Sequence, residues 1–84
     1  MSIIDKEIEF YKKKFGSNLK KIRESKNMTQ IDLATSMNNL SSNSNLEKTS
    51  ISRIENGRTN ITLVTAIKLS LALNIKLKDL FDFE

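Results

Sequence analysis

Residues 49–59 read Thr-Ser-Ile-Ser-Arg-Ile-Glu-Asn-Gly-Arg-Thr and predict a short helix with a definite end. Asn56 and Gly57 form a pair that stops helices, because both residues tolerate the left-handed backbone conformation. At about 100° per residue, Ile51 and Ile54 share one arc of the helix and indicate its buried side. The opposite arc, which has no acidic residue, consists of Lys48, Thr49, Ser52, Arg53 and Asn56. Such an arc suits phosphates and base edges, and an ordinary solvated helix face is the alternative.

The composition favours one small domain made of helices. The chain has 84 residues, two glycines and no proline, which disfavours a turn-rich β fold. It has no cysteine and no histidine, so disulfides and thiolate metal sites are excluded and the commonest acid–base group is missing. The acidic residues lie singly, and no glycine-rich phosphate loop is present. We therefore expect a cofactor-free cytoplasmic protein that is not an enzyme and does not contact a membrane.

The net charge of +4 is concentrated in the middle of the chain. Residues 1–9 carry one cation against three acids, and residues 61–84 carry three of each. Residues 10–60 carry ten cations against four acids, a balance of +6. A basic segment of this kind is the electrostatic footprint of a nucleic-acid binder.

Residues 15–81, which are 67 of the 84 residues, resemble the lambda-repressor-like (Cro/repressor, Xre-type) helix-turn-helix domain. Four matching segments occur in order, and three of them have the spacing of the family, which makes the match specific. The segments are Leu-Lys-Lys-Ile-Arg at 19–23, Met-Thr-Gln-Ile-Asp-Leu-Ala at 28–34, Ile-Ser-Arg-Ile-Glu-Asn-Gly at 51–57, and 60–81.

The resemblance implies an all-α, five-helix DNA-binding domain over residues 14–84. Residues 1–13 precede it as an amphipathic arm with apolar residues at helical spacing. This arm is either a separate helix or an extension of the first helix of the domain. Its apolar positions, counted into the domain, are Ile4, Ile8, Tyr11 and Phe15.

Several helix boundaries can be predicted from capping residues. Helix 1 is expected to end near residues 26–27. Thr29 can begin helix 2 with Asp32 completing a capping box, and Thr62 can begin helix 4, which Asn74 stops. Helix 4 is apolar nearly all the way round, so it is either central or presents one face to another subunit. A last short helix is expected at residues 77–81.

The segment between helices 2 and 3 departs from the family pattern. Residues 38–45 form a polar Asn/Ser-rich loop, and alignment leaves residues 39–45 as an insertion in a turn that usually has three or four residues. Glu47 stands where the family usually has a Ser or Thr N-cap. Either the loop extends into solvent and leaves the helix angle unchanged, or helix 2 lengthens and the loop reaches the DNA backbone or a partner.

The resemblance also implies which residues bind DNA. Gln30, in the first turn of helix 2, matches a residue that binds a backbone phosphate. Lys48, Thr49 and Arg53 match positions that contact base edges, where Arg can bond to guanine and the Thr methyl can pack on thymine. The other expected contacts, which flank these positions or follow helix 3, are Ser50, Ser52, Asn56, Arg58 and Asn60. For each of these residues the alternative is a solvated surface position.

Arg23 and Glu55 are expected to have a structural role. In relatives the matching Arg and Glu form a largely buried ion pair that joins helix 1 to the end of helix 3. Removal of one member would leave an uncompensated charge, even where the pair itself stabilises little.

The function implied is sequence-specific binding of double-stranded DNA by a transcriptional regulator with residues 48–56 in the major groove. The family resemblance further implies a homodimer through helix 4, helix 5 and the C-terminus. Two recognition helices about 34 Å apart would then require a pseudo-palindromic operator. A small stand-alone repressor and a restriction-modification controller look alike at this level.

The alternative from another class is an antitoxin-like or co-repressor module that mainly holds a second protein. The acidic, amphipathic arm and the inserted loop are the features that could serve such a protein partner. A contribution of the arm to the dimer or to DNA binding stays open.

Overall fold

The computed structural model describes residues 2–41 and 45–83, and this part of the chain is entirely helical and loop. Four α-helices are present: α1 (Ile3–Ser25), α2 (Gln30–Leu40), α3 (Lys48–Glu55) and α4 (Leu63–Leu73). The predicted all-α class is confirmed. The fifth predicted helix, Leu77–Phe81, is a 3-10 helix and not an α-helix. With only five residues it is at the length where the tighter i→i+3 pattern is common.

The N-terminal arm is continuous with the first helix of the domain. Ser2 caps α1, since its hydroxyl oxygen accepts from the Asp5 backbone N–H at 3.2 Å and the Asp5 carboxylate accepts from the Ser2 N–H at 3.4 Å. The helix then runs for 23 residues without interruption, so of the two alternatives the arm is an extension. Residues 3–11 are exposed, and the buried positions of α1 begin at Phe15. The first turns are therefore not part of the core, and Ile4, Ile8 and Tyr11 line a groove together with Phe81 and Phe83.

Three helices end on a residue in the left-handed conformation. These are Asn27, Gly57 and Asn74, with φ of 58°, 70° and 56°. After α3 the Gly57 N–H donates to the Ile54 carbonyl at 3.1 Å, and the Arg58 N–H donates to the Arg53 carbonyl at 2.8 Å. This is a Schellman ending, which satisfies carbonyls that the helix leaves unpaired.

The core lies where α2, α3, α4 and the second half of α1 meet. Its fully buried members come from every helix: Leu19, Leu33, Met37, Ile51, Leu69, Leu73 and Leu80. Gly16 brings α1 against the end of α3, because a Cβ at this position would collide with the backbone carbonyls of Ile54 and Glu55. The sequence contained no local signal for this close approach.

Helix α2 is longer than the sequence predicted. Its start is as expected: the Thr29 hydroxyl oxygen accepts from Asp32 N–H at 3.0 Å, and the Asp32 carboxylate accepts from Thr29 N–H at 2.8 Å. The predicted end before Asn38 is wrong, since the helix continues to Leu40, as in the alternative in which helix 2 lengthens. The loop therefore begins at Ser41, and part of the predicted insertion, residues 42–44, lies outside the described residues.

Helix α4 buries one face and exposes the other. Its start at the Thr62 cap and its left-handed stop at Asn74 agree with the prediction. The buried face consists of Ala66, Leu69, Ser70 and Leu73. The opposite face leaves Leu63, Val64, Ile67 and Leu71 between 40% and 66% exposed. The helix is therefore not surrounded by its own domain, and of the two alternatives it presents an apolar face outward.

Candidate nucleic-acid interface

Helix α3 is attached to the domain by its apolar arc and presents its polar arc outward. Ile51 is fully buried and Ile54 is 5% exposed, so rotation of the helix about its axis would bring polar groups into the core. Of the polar arc, Ser52 is half-buried and the other members, Lys48, Thr49, Arg53 and Asn56, are exposed. The exposed arc contains two cations and no acid, which is the charge pattern that DNA requires.

Three of the polar residues on α3 are held by hydrogen bonds within the helix. Ser50 is half-buried, and its hydroxyl oxygen accepts from the N–H of the N-cap Glu47 at 3.3 Å. Glu47 itself makes no side-chain capping bond, and the Ser50 hydroxyl supplies the reciprocal bond of a capping box, to the N-cap N–H. At the other end the Asn56 amide donates to the Ser52 carbonyl at 2.8 Å and to the Ser52 hydroxyl at 3.3 Å. These bonds fix the orientations of the Ser52 and Asn56 side chains before any ligand binds.

A buried ion pair joins α1 to the end of α3. The Arg23 Nε donates to Glu55 Oε2 at 2.6 Å, and Nη2 donates to Oε1 at 3.1 Å, which makes the pair bidentate. Each residue is 6% exposed. The third guanidinium nitrogen, Nη1, donates to the Met28 carbonyl at 2.7 Å and so also holds the segment that enters α2. The hydrogen bond with Glu55 raises the pKa of Arg23, and burial opposes this in part.

Gln30 extends this network to the start of α2. Its amide Nε2 donates to Glu55 Oε1 at 3.0 Å, so one carboxylate receives both the arginine and the glutamine. An amide nitrogen carries two N–H groups, and the bond to Glu55 uses one of them. The bond between Gln30 and the Arg23–Glu55 pair was not predicted from the sequence. No local pattern could show it, since the two partners are 25 residues apart.

A cleft of about 620 Å³ lies between the end of α1 and the start of α2, and Lys48 at the start of α3 also lines it. Gln30 and Lys48 both line it, which brings together two residues that the sequence assigned to phosphate and base contacts. The opening is flanked by Thr29, at the end of α2 where backbone N–H groups point outward. The cleft thus combines an amide, a helix N-terminus and an ammonium group with one carboxylate, that of Glu24.

Arg58 and Asn60 lie on the connection between α3 and α4, and both are exposed. They are therefore outside the α3 arc, on the segment that leaves the left-handed Gly57. The structure thus groups the expected DNA contacts into two sets, one on α3 with the start of α2 and one after α3.

In the described ranges no helix is long and apolar enough to cross a membrane. Over the same residues no group of three or more Asp and Glu side chains is arranged to hold a metal ion.

Residues 19–80 match the model of the helix-turn-helix family. Control protein C.MunI of a Mycoplasma species is 40% identical to the chain over 69 residues, which cover 81% of this chain and 84% of that protein. The crystal structure of the restriction-modification controller protein C.AhdI from Aeromonas hydrophila is similar, with a TM-score of 0.76 and 30% identity. That alignment covers 87% of this chain and 96% of C.AhdI.

Proposed function

We propose, from the premise that this chain belongs to the helix-turn-helix family, that it is a sequence-specific DNA-binding transcriptional regulator. The similarity to C.MunI and C.AhdI supports a narrower assignment, the controller protein of a restriction-modification system. A regulator of this kind acts on cellular DNA, so we place it in the cytoplasm and assign it no catalytic step.

The observation that carries the proposal is the exposed polar arc of α3, which has no acidic residue. The position of this helix is fixed by its buried isoleucines and by the Arg23–Glu55 ion pair. Lys48, Thr49 and Arg53 would enter the major groove, where the Arg53 guanidinium can bond to guanine O6 and N7. Gln30, with its amide held by Glu55, would bind a phosphate at the N-terminus of α2. The remaining polar contacts proposed, which set the register on the backbone, come from Ser50, Ser52, Asn56, Arg58 and Asn60.

The proposed regulator is a two-fold homodimer. The exposed face of α4 places four apolar residues, Leu63, Val64, Ile67 and Leu71, together in water, and such a patch is typical of an association surface. It continues into a groove of about 710 Å³ that Phe81 and Phe83 also line, at the C-terminal end of the described chain. Association of two copies through α4, the 3-10 helix and the C-terminus would cover this surface and require a pseudo-palindromic operator.

A second candidate function is supported by the exposed apolar side chains of the α1 extension. Ile3, Ile4, Ile8, Phe10 and Tyr11 are each at least half exposed. A protein-interaction module, antitoxin-like or co-repressor, could use such a helix to hold a protein partner. This function does not require preference for one DNA sequence, which separates it from the first.

The test is selection of a binding sequence from a randomised pool of duplexes, followed by affinity measurements on the selected duplex and a scrambled one of equal length. We expect a preference of about 10³-fold or more and a steep salt dependence from phosphate contacts. Arg53→Ala should reduce that preference, whereas Lys20→Ala, an exposed cation on α1 outside the proposed contacts, should not. Equal, weak binding to both duplexes would refute the proposal and favour the interaction module.

A further inference from the structure

We propose that Asn38 is a positioning residue for DNA recognition, because its side chain replaces the short turn that fixes the recognition helix in related domains. The inference rests on the proposed function and adds a residue that the sequence assigned only to a polar loop.

The geometry is a reciprocal pair of hydrogen bonds. The Asn38 amide Nδ2 donates to the Leu46 carbonyl at 2.8 Å, and the Leu46 N–H donates to Asn38 Oδ1 at 2.8 Å. One side-chain amide thus satisfies both backbone groups of one residue, as a neighbouring strand would. Asn38 is half-buried in the last turn of α2, and Leu46 directly precedes the N-cap Glu47 of α3. Leu46 also packs against the core.

A restraint is needed here because the connection between the two helices is long. Residues 41–47 separate α2 from α3, which is seven residues where a helix-turn-helix turn has three or four. Extra loop length costs little free energy, but a long connection does not by itself set the angle between two helices. The Asn38–Leu46 pair closes the connection at its base and makes its length irrelevant to the position of α3.

The pair acts together with a second polar link at the opposite ends of the same helices. There the Gln30 amide, at the start of α2, donates to Glu55 at the end of α3 at 3.0 Å. The two links hold α3 at both ends, with Ile51 buried between them. Loss of the Asn38 link would free the first turn of α3, which carries Lys48 and Thr49, while the core stays packed.

The first experiment compares Asn38→Ala and Asn38→Asp with the natural chain, and Asn39→Ala serves as the matched control because its side chain is exposed. Binding is measured on the duplex that the natural chain selects from a randomised pool and on its scrambled version. Hydrogen exchange of the Leu46 amide and thermal unfolding are measured on the same samples. Loss of two hydrogen bonds corresponds to about a tenfold change in the ratio of the binding constants for the two duplexes.

We expect Asn38→Ala to remove protection of the Leu46 amide and to lower the preference for the selected duplex about tenfold, with a small change in Tm. Asn38→Asp keeps the acceptor for the Leu46 N–H but loses the donor, so a partial loss is expected. Asn39→Ala should leave all three measurements unchanged.

A second experiment tests whether the restraint substitutes for a short turn. Deletion of residues 39–45 joins Asn38 directly to Leu46 and gives a turn of the usual family length. In the chain with the natural loop, Asn38→Gly should reduce the preference for the selected duplex. In the shortened chain the same substitution should leave that preference unchanged, because glycine suits the left-handed position of a short turn. If the shortened chain does not fold, the point variants decide the question alone.

The inference is overturned if the Leu46 amide stays protected in Asn38→Ala, or if protection is lost while the preference is kept. It is also overturned if affinity for both duplexes falls equally with Tm, because that is the result of a merely stabilising contact. A natural chain without sequence preference would instead refute the proposed function, and the inference with it.

Discussion

Replacement of Arg23 by methionine would break the buried link between α1 and α3 from one side. Arg23 and Glu55 are each 6% exposed, and their groups meet at 2.6 and 3.1 Å. Methionine keeps most of the apolar stem but leaves the carboxylate of Glu55 buried, and among the described residues the Gln30 amide is its remaining partner. The Met28 carbonyl loses its donor as well.

The expected loss is large for a domain of this size. Removal of one member of a buried pair costs about 3–5 kcal/mol, whereas small domains have a free energy of unfolding of about 5–15 kcal/mol in total. At roughly 4–8 °C per kcal/mol, Tm should fall by at least about 12 °C. The effect arises from the charge left behind and does not measure the net stabilisation by the pair.

The assay is a double-mutant cycle by urea and thermal unfolding with Arg23→Met, Glu55→Leu and the double variant. All samples need one protein concentration, because the proposed dimer would make Tm concentration-dependent. The double variant leaves no buried charge, so we expect it to be at least about 2 kcal/mol more stable than the sum of the single losses indicates. Lys21→Met, at an exposed position of the same helix, should change stability by no more than about 0.5 kcal/mol.

Two results would refute this reasoning. A loss below about 1 kcal/mol for Arg23→Met would mean that the Glu55 carboxylate reaches water or another donor without its arginine. Additive single losses would mean that the two side chains do not depend on each other, in conflict with their bidentate geometry.

Other residues give predictions of different kinds. Arg53→Ala should leave Tm unchanged and weaken binding to the selected duplex by about 1–3 kcal/mol; unfolding of this variant would show that the faces of α3 are assigned wrongly. Gly16→Ala should destabilise the domain by about 1–3 kcal/mol in urea unfolding, since its Cβ would collide with carbonyls at the end of α3, and a neutral result would show that the helices can separate there. The hydrogen bond from the Thr29 backbone N–H lowers the pKa of Asp32. The ionised carboxylate therefore stabilises the fold above the ordinary Asp pKa of about 3.9, and this stabilisation is lost as the pH falls through the pKa of the folded state. The free energy of unfolding of Asp32→Asn should therefore be lower at neutral pH than that of the natural chain and should fall less steeply as the pH is lowered. Equal pH dependence of the two proteins would exclude this contribution. Leu71→Glu, at a position 60% exposed, should yield a monomer in sedimentation while the fold is retained, and an unchanged dimer would exclude this face of α4 as the interface.

The parts of the fold that could be predicted from the sequence depend on groups close together in the chain. The Thr29 and Thr62 caps were predicted because a hydroxyl reaches an N–H three residues later, and the Gly57 and Asn74 stops because of their own backbone preferences. The buried arc of α3 followed from helical periodicity alone.

The expectation that failed concerned the end of α2. The Asn/Ser-rich composition after Met37 indicated a loop. Composition does not show that Asn38 bonds to Leu46, eight residues later in the chain. The Asn38 side chain bonds to Leu46 while its backbone stays helical, and α2 continues to Leu40.

The sequence by itself determined the helical class, the family and the polar arc of α3, because caps, periodicity and matched segments are local properties of the chain. The tertiary structure decided what holds that arc in place. Gly16 against the end of α3, Gln30 on the Glu55 carboxylate and Asn38 on Leu46 each join residues from different elements. Contacts of this kind depend on how the helices meet in space, and the distances and directions between helices are not encoded in any single segment.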